Sequence, residues 1–384
     1  MLKERSILLI ILLLIIVYFS QGVFYATGSI ISQLCLFSFL ALSGIYLIKL
    51  LLSRKEKELF FKAWTALLLI NILGFIFTGY ISNPSHFGMF KGILISSLPF
   101  YPIYYFSKKN ILSSKHLIVF FVVMLVISIL QFYFNRDIIL LERISGNENI
   151  VNNAAYMFVN LIPFVFLIKN NRLISMASML LIIFFIIQGS KRGAILVGAF
   201  GAIMYVYYLL RTVDKKKRLR GYLLVSVLIG VIAYFVYNFY LENEFLRNRM
   251  LLLSEGGASV SSGRDVIYSR IFNSWYYSDN LINLLFGFGF AGSQYLTRGA
   301  FAHNDWLELL SNFGLLGVVI YLWLFFAAYK LIRNGNWNSD KKYIFFTVVA
   351  MWFLVTLFSM GYTSSAGYMR AMILAYLIGS RESN

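Results

Sequence analysis

The chain has 384 residues, of which 60% are hydrophobic, 18% aromatic and only 13% charged. No soluble domain buries that much apolar surface, so lipid is the solvent for most of the chain and a soluble globular protein is excluded. In such a chain the formal net charge of +18 belongs first to cytoplasmic loops, not to a nucleic-acid surface.

A membrane span needs about 20 mostly apolar residues. Such segments fall at 6–26, 29–52, 59–81, 87–106, 116–134, 153–168, 172–188, 193–210, 221–240, 308–329, 342–360 and 364–380. They predict an all-α integral membrane protein with about twelve transmembrane helices. The opening "MLKER" and its apolar run suit a first span better than a cleaved signal peptide. With the N-terminus inside, "SRKEKE" (53–58), "SKKNILSSK" (107–115), "KNNR" (169–172), "RTVDKKKRLR" (211–220) and "KLIRNGNWNSDKK" (330–342) become cytoplasmic. Most of the Lys and Arg then lie inside, as the positive-inside rule requires, and both termini are cytoplasmic. Cys35 is the single cysteine and the histidines are His86, His116 and His303. No metal site and no cofactor is expected from so few ligands.

The outward cations are Lys91, Arg136, Arg143, Lys191, Arg192, Arg247, Arg249, Arg264, Arg270, Arg298 and Arg370, mostly arginine where the cytoplasmic set is mostly lysine. The guanidinium fork binds phosphate oxygens in pairs, so this face suits a phosphate-bearing ligand. Pairing with outward carboxylates such as Asp137, Glu142 and Asp265 is the competing explanation. "QGSKRG" (188–193) makes a tight outward turn, with Gly189 and Gly193 expected to supply flexible backbone. Arg192 opens the next helix, where free N–H groups and an added guanidinium favour an anion.

Residues 241–307 form one large outward loop between the ninth and tenth spans, and long loops in compact proteins are usually functional. The expected organisation is 1–240 (nine spans), 241–307 (the loop) and 308–384 (three spans). "SSGRDVIYSRIFNSW" reads as a helix, with Asp265 in its first turn and Ile267, Ile271 and Trp275 as an apolar stripe. "LLFGFGFAGS" is too short to span and suits a re-entrant or interfacial turn. His303 lies among Arg298, Asn304, Asp305 and Glu308 at an outward membrane edge. Gly314 and Gly317 allow the following helix to pack closely or kink.

Three of these stretches together resemble the O-antigen ligase and polymerase family. They are "QGSKRGA", "SGRDVIYSRIFNSW", and a loop His followed by Asn that leads into "NFGLLG". The resemblance also covers the span count and the position of the loop. It implies a GT-C-like membrane glycosyltransferase that moves a glycan from undecaprenyl pyrophosphate to another sugar outside the cytoplasmic membrane. By the resemblance, Arg192 and Arg264 sit at the pyrophosphate and His303 near the reacting centre. Lys191, Arg270, Arg298, Arg370, Lys91 and Asn304 are the further candidates for substrate binding.

Chemically, arginines would stabilise charge developing on the leaving pyrophosphate, and His303 would take the acceptor hydroxyl's proton. One base and direct displacement predict inversion without a metal, and Asp305 or Glu308 could serve as base instead. The expected activity is polymerisation of polyprenyl-linked repeat units for O-antigen, capsule or exopolysaccharide in a bacterial inner membrane, with the active site facing the periplasm. Expected partners are the undecaprenyl-pyrophosphate-linked oligosaccharide and the bilayer, with room for a chain-length regulator and none for nucleic acid. The alternatives are a ligase that moves finished polymer to lipid A-core and a transporter or flippase, although transporters typically bind substrate at the midplane.

Overall fold

The computed structural model describes residues 2–53, 58–78, 84–144, 154–189, 191–212 and 264–381, together with Ser226, Gly230, Tyr234, Tyr237, Asn238 and Leu241. Side chains of 2 and 136–144 are excepted. The ninth predicted span (221–240), the first part of the large loop, and Arg247 and Arg249 lie largely or wholly outside the described residues. Among the described residues helices are the regular elements and no strand is formed. It is an all-α membrane protein, and among the described residues six helices are long and apolar enough to cross a bilayer, with mean hydropathy from 1.6 to 2.7. These are Ile30–Leu52, Leu59–Thr78, Ser114–Asn135, Arg192–Thr212, Asp305–Asn334 and Ser339–Phe358. The apolar helices Ala154–Val165, Arg172–Gln188 and Gly367–Gly379 are shorter.

Two compact units divide the chain. The first combines Met1–Leu52, Pro99–Glu244 and Met369–Arg381. Its helices are α1 (Leu2–Phe19), α2 (Ile30–Leu52), α5 (Phe100–Lys108), α6 (Ser114–Ile144), α7 (Ala154–Val165), α8 (Arg172–Gln188), α9 (Arg192–Thr212) and most of α15 (Gly367–Gly379). Helix α1 stops seven residues short of the predicted 26, because a turn with Gly22 and Gly28 at positive φ follows it. Helix α7 packs against α6, α8 and α9, and there Phe158 and Phe185 stack with ring centroids 4.9 Å apart. The Asn171 side chain caps α8 by accepting from the Ile174 N–H at 3.2 Å, which stops the helix at the predicted boundary.

The second unit combines Ser53–Leu98 with Phe245–Tyr368. It holds α3 (Leu59–Thr78), α4 (Pro84–Ser97), α10 (Arg264–Tyr276), α11 (Leu281–Phe286), α12 (Gly292–Thr297), α13 (Asp305–Asn334) and α14 (Ser339–Phe358). Helix α13 is its axis and touches α3, α10, α11, α12 and α14. The predicted span 87–106 is in fact two helices, since α4 ends at Ser97 and α5 begins at Phe100. Pro99 has no N–H to give the Ile95 carbonyl, so a continuous helix loses its bond there.

Helix α13 breaks at Gly314, with φ 59° and ψ −149°, a conformation that is essentially confined to glycine. The reason lies in the glycine-aromatic run. A Cβ on Gly287 would stand 2.5 Å from the Phe313 nitrogen, and one on Gly314 would stand 2.6 Å from the Gly287 nitrogen. The two backbones touch, and the Phe288 N–H donates to the Ser311 carbonyl at 2.7 Å. That bond supplies a partner for a carbonyl next to the break. The run expected as a re-entrant or interfacial turn is a backbone wedge seated against a broken helix.

Candidate functional site

Helix α10 begins at Arg264 and carries the predicted stripe, of which Ile271 is wholly buried while Ile267 and Trp275 are half-buried. The Trp275 indole N–H donates to the Leu284 carbonyl at 3.0 Å, tying α10 to α11. Arg264 Nη1 donates to the Phe358 carbonyl at 3.0 Å. That carbonyl is the last of α14, where the helix end carries partial negative charge and favours a cation. A guanidinium has five N–H donors, so this bond leaves others for a second acceptor.

Asn304 reaches the same helix end. Its Nδ2 donates to the Leu357 carbonyl at 3.2 Å, and its Oδ1 accepts from Trp306 N–H (2.9 Å) and Leu307 N–H (3.1 Å), capping α13. Arg264 and Asn304 thus hold adjacent carbonyls of one helix terminus. His303, the residue before the cap, is exposed and has φ 52°. A non-glycine residue in the left-handed region costs about 1 kcal/mol or more and persists only where its surroundings demand it.

Two buried carboxylates follow His303 in the chain. Asp305 is fully buried; its Oδ2 accepts from the Tyr321 hydroxyl and its Oδ1 from the Gly361 N–H, each at 2.7 Å. Glu308 is also fully buried; its Oε1 accepts from Ser293 Oγ at 2.6 Å and its Oε2 from the Ala302 N–H at 3.0 Å. Buried carboxylates need such partners, because an unmatched charge away from water is far more costly. Every oxygen of the pair accepts from the protein, whereas His303 is exposed. Asn312, also fully buried, donates to the Tyr362 hydroxyl at 3.4 Å.

Lys91 is half-buried on α4, one residue before Gly92, and that glycine packs against the Thr363 carbonyl in the turn after α14. Ser96 Oγ donates to the Tyr362 carbonyl of the same turn at 2.7 Å. The turn that Gly361 shares with Asp305 is thereby also held by the helix of Lys91. Arg270 is exposed six residues beyond Arg264 on α10, about 9 Å along the axis and about 120° around it. Arg298 is exposed at the C-terminal end of α12 with φ 60°.

Lys191, Arg192 and Arg370 belong to the first unit. Lys191 and Arg192 are half-buried at the start of α9, where the Lys191 carbonyl accepts the Ile195 N–H at 2.9 Å. The expected flexibility of Gly189 is not what its place requires. It has an ordinary helical φ of −69°, and a Cβ there would lie 2.7 Å from Ala155 Cβ. Its smallness lets α8 approach α7. Gly193 lies inside α9, and Ser190 of the same turn is outside the described residues. Arg370 is 5% exposed in α15.

Among the described residues no group of three or more His, Cys, Asp or Glu side chains could hold a metal ion. Sequence reasoning named Arg264, His303 and Asn304, and considered Asp305 and Glu308 only as bases. It passed over Ser293, Tyr321 and Gly361, whose pairing with the carboxylates depends on long-range folding, and Tyr362, which pairs with Asn312. Compared with known proteins, the sequence matches no family model and no curated protein.

Proposed function

We propose that this chain is a metal-independent membrane glycosyltransferase that polymerises polyprenyl-pyrophosphate-linked oligosaccharide repeat units on the outer side of the cytoplasmic membrane. In this reading the twelve predicted spans place both termini inside, and 241–307 faces outward. The observation that carries it is the meeting of Arg264 and Asn304 at the C-terminal end of α14, with the exposed His303 as the residue just before Asn304. An exposed imidazole thus neighbours, in the chain, a side chain that shares its helix end with a guanidinium.

The acceptor hydroxyl attacks C1 of the donor sugar from the face opposite the leaving group. His303 takes the hydroxyl proton as the new C–O bond forms, a role suited to imidazole. The C1–O bond to the pyrophosphate breaks with its electron pair, and polyprenyl pyrophosphate departs. Arg264 stabilises the growing charge, with Lys91, Arg270 and Arg298 of the same unit as anion-binding support. The configuration at C1 inverts. A ligase acting on a lipid-core sugar uses the same donor chemistry and differs in its acceptor.

A second reading draws support from the break at Gly314 beside two buried carboxylates, since transporters place binding sites at broken helices. Here Gly287 fills the break and protein donors occupy both carboxylates. Both facts favour a fixed scaffold over a moving gate. Deleting the protein from its cell and sizing the surface glycan tests the choice. Polymerase loss leaves single repeat units exported and unextended, whereas flippase loss traps them facing the cytoplasm.

A further inference from the structure

We propose that Glu308 is a positioning residue that sets the His303 imidazole by clamping the backbone just before it. The proposal rests on the glycosyl-transfer reading of His303 and adds a residue to it.

The geometry is a short chain of bonds. Ala302 is fully buried, and its N–H donates to Glu308 Oε2 at 3.0 Å. His303 follows with φ 52°, and Asn304 then caps the helix that carries Glu308. The strained residue is therefore pinned on both sides to one rigid helix, by Glu308 before it and by the Asn304 cap after it. The other oxygen of Glu308 holds Ser293 at 2.6 Å, which fastens α12 to the same helix. Further along this loop, the Thr297 hydroxyl shares its one proton between the Ala300 carbonyl at 2.6 Å and the Ser293 carbonyl at 2.7 Å. Glu308 thus closes a loop whose internal bonds already fold it back on itself. Backbone strain of this kind recurs where a side chain must be aimed. An imidazole that acts as base must lie within about 3 Å of the hydroxyl it deprotonates, and a misplacement of 1 Å costs about 10²-fold in rate.

Chemistry separates a clamp from a base. In Glu308→Gln the amide oxygen accepts the Ala302 N–H and the amide NH₂ donates to Ser293 Oγ, so both bonds survive without a charge. In Glu308→Ala both donors lose their partner inside the protein. A clamp tolerates glutamine, and a general base does not.

The test uses the full-length protein in nanodiscs, with amide hydrogen exchange over 300–304 and initial rates on a polyprenyl-pyrophosphate-linked repeat unit. The expected result is slow Ala302 exchange in wild type and Glu308→Gln, and fast exchange in Glu308→Ala. Glu308→Gln should keep kcat within a few-fold and retain the acid limb of the pH–rate profile. In Glu308→Ala, kcat should fall about 10²-fold with the donor KM little changed. Glu308→Gln protected at Ala302 but as inactive as an alanine variant would overturn the proposal and make Glu308 a chemical participant. Unchanged exchange in Glu308→Ala would overturn it as well. If Glu308→Ala does not fold, the Glu308→Gln arm decides alone. The expected exchange pattern with no transfer by wild type would support the clamp and reject the glycosyl-transfer reading.

Discussion

His303 stands on the surface with a backbone that few non-glycine residues adopt. Replacing it by alanine keeps the Ala302 and Asn304 bonds and removes only the imidazole. Transfer should fall about 10²–10⁴-fold in an initial-rate assay, with the protein still monodisperse in detergent. Asn304 caps α13 through two N–H groups and also reaches Leu357. Asn304→Ala should cost about 1 kcal/mol of stability, read as a lower midpoint of thermal unfolding in detergent. At the other end of the chain, Glu4 accepts from Lys109 at 2.6 Å and from Tyr105 at 2.9 Å. The Lys109 contact first, and the Tyr105 hydroxyl second, hold its carboxyl below the ordinary glutamate value. A depressed folded-state pKa contributes stability that is present above the unfolded value and lost as pH falls through the folded one. Wild type should therefore lose thermal stability relative to Glu4→Gln as pH drops below about 4, by a small amount because the pair is exposed to solvent. Parallel unfolding curves of the two proteins across that window would contradict the assignment.

Among the elements, the wedge of α11 and its glycines against α13 makes the sharpest prediction. Gly314→Ala meets both a backbone conformation reserved for glycine and a neighbouring backbone 2.6 Å from its new Cβ. It should destabilise the fold by more than about 1–3 kcal/mol, whereas Gly44→Ala, with open space around it, should be tolerated. Thermal unfolding of the two variants side by side checks this. Hydropathy alone made helices such as 172–188 and 30–52 legible, because each is one apolar stretch ended by a polar cap or a charged loop. It could not show the interruption at Pro99, since Pro99 and Pro102 lie in a stretch as apolar as any other. Nor could it show what the glycine-aromatic run does, because Gly287 matters through Gly314, twenty-seven positions away. The candidate site divides the same way. Arg264, His303 and Asn304 stand out as polar groups in short quotable stretches. The pairing of Glu308 with Ser293 and of Asp305 with Gly361 is set by how three segments close around α13.

For the whole molecule, the proposed sidedness ties every loop together through the distribution of lysine and arginine. In a Cys35→Ser background, a cysteine at the exposed Tyr277 should react with an impermeant thiol reagent on intact cells. One at the exposed Lys108 should react only after the membrane is opened. The opposite pattern would invert the map and remove Arg264 and His303 from the outer face. The account's central claim is that this chain itself joins polyprenyl-linked units without a metal. Its most direct test is purified protein in liposomes, given a lipid-linked repeat unit and EDTA, with products sized by mass spectrometry. The account predicts oligomers lengthening by whole repeat units, the newly joined C1 inverted, polyprenyl pyrophosphate released in equal amount, and no lengthening with His303→Ala. Donor that stays unextended with folded wild-type protein, or extension that persists in His303→Ala, would contradict it.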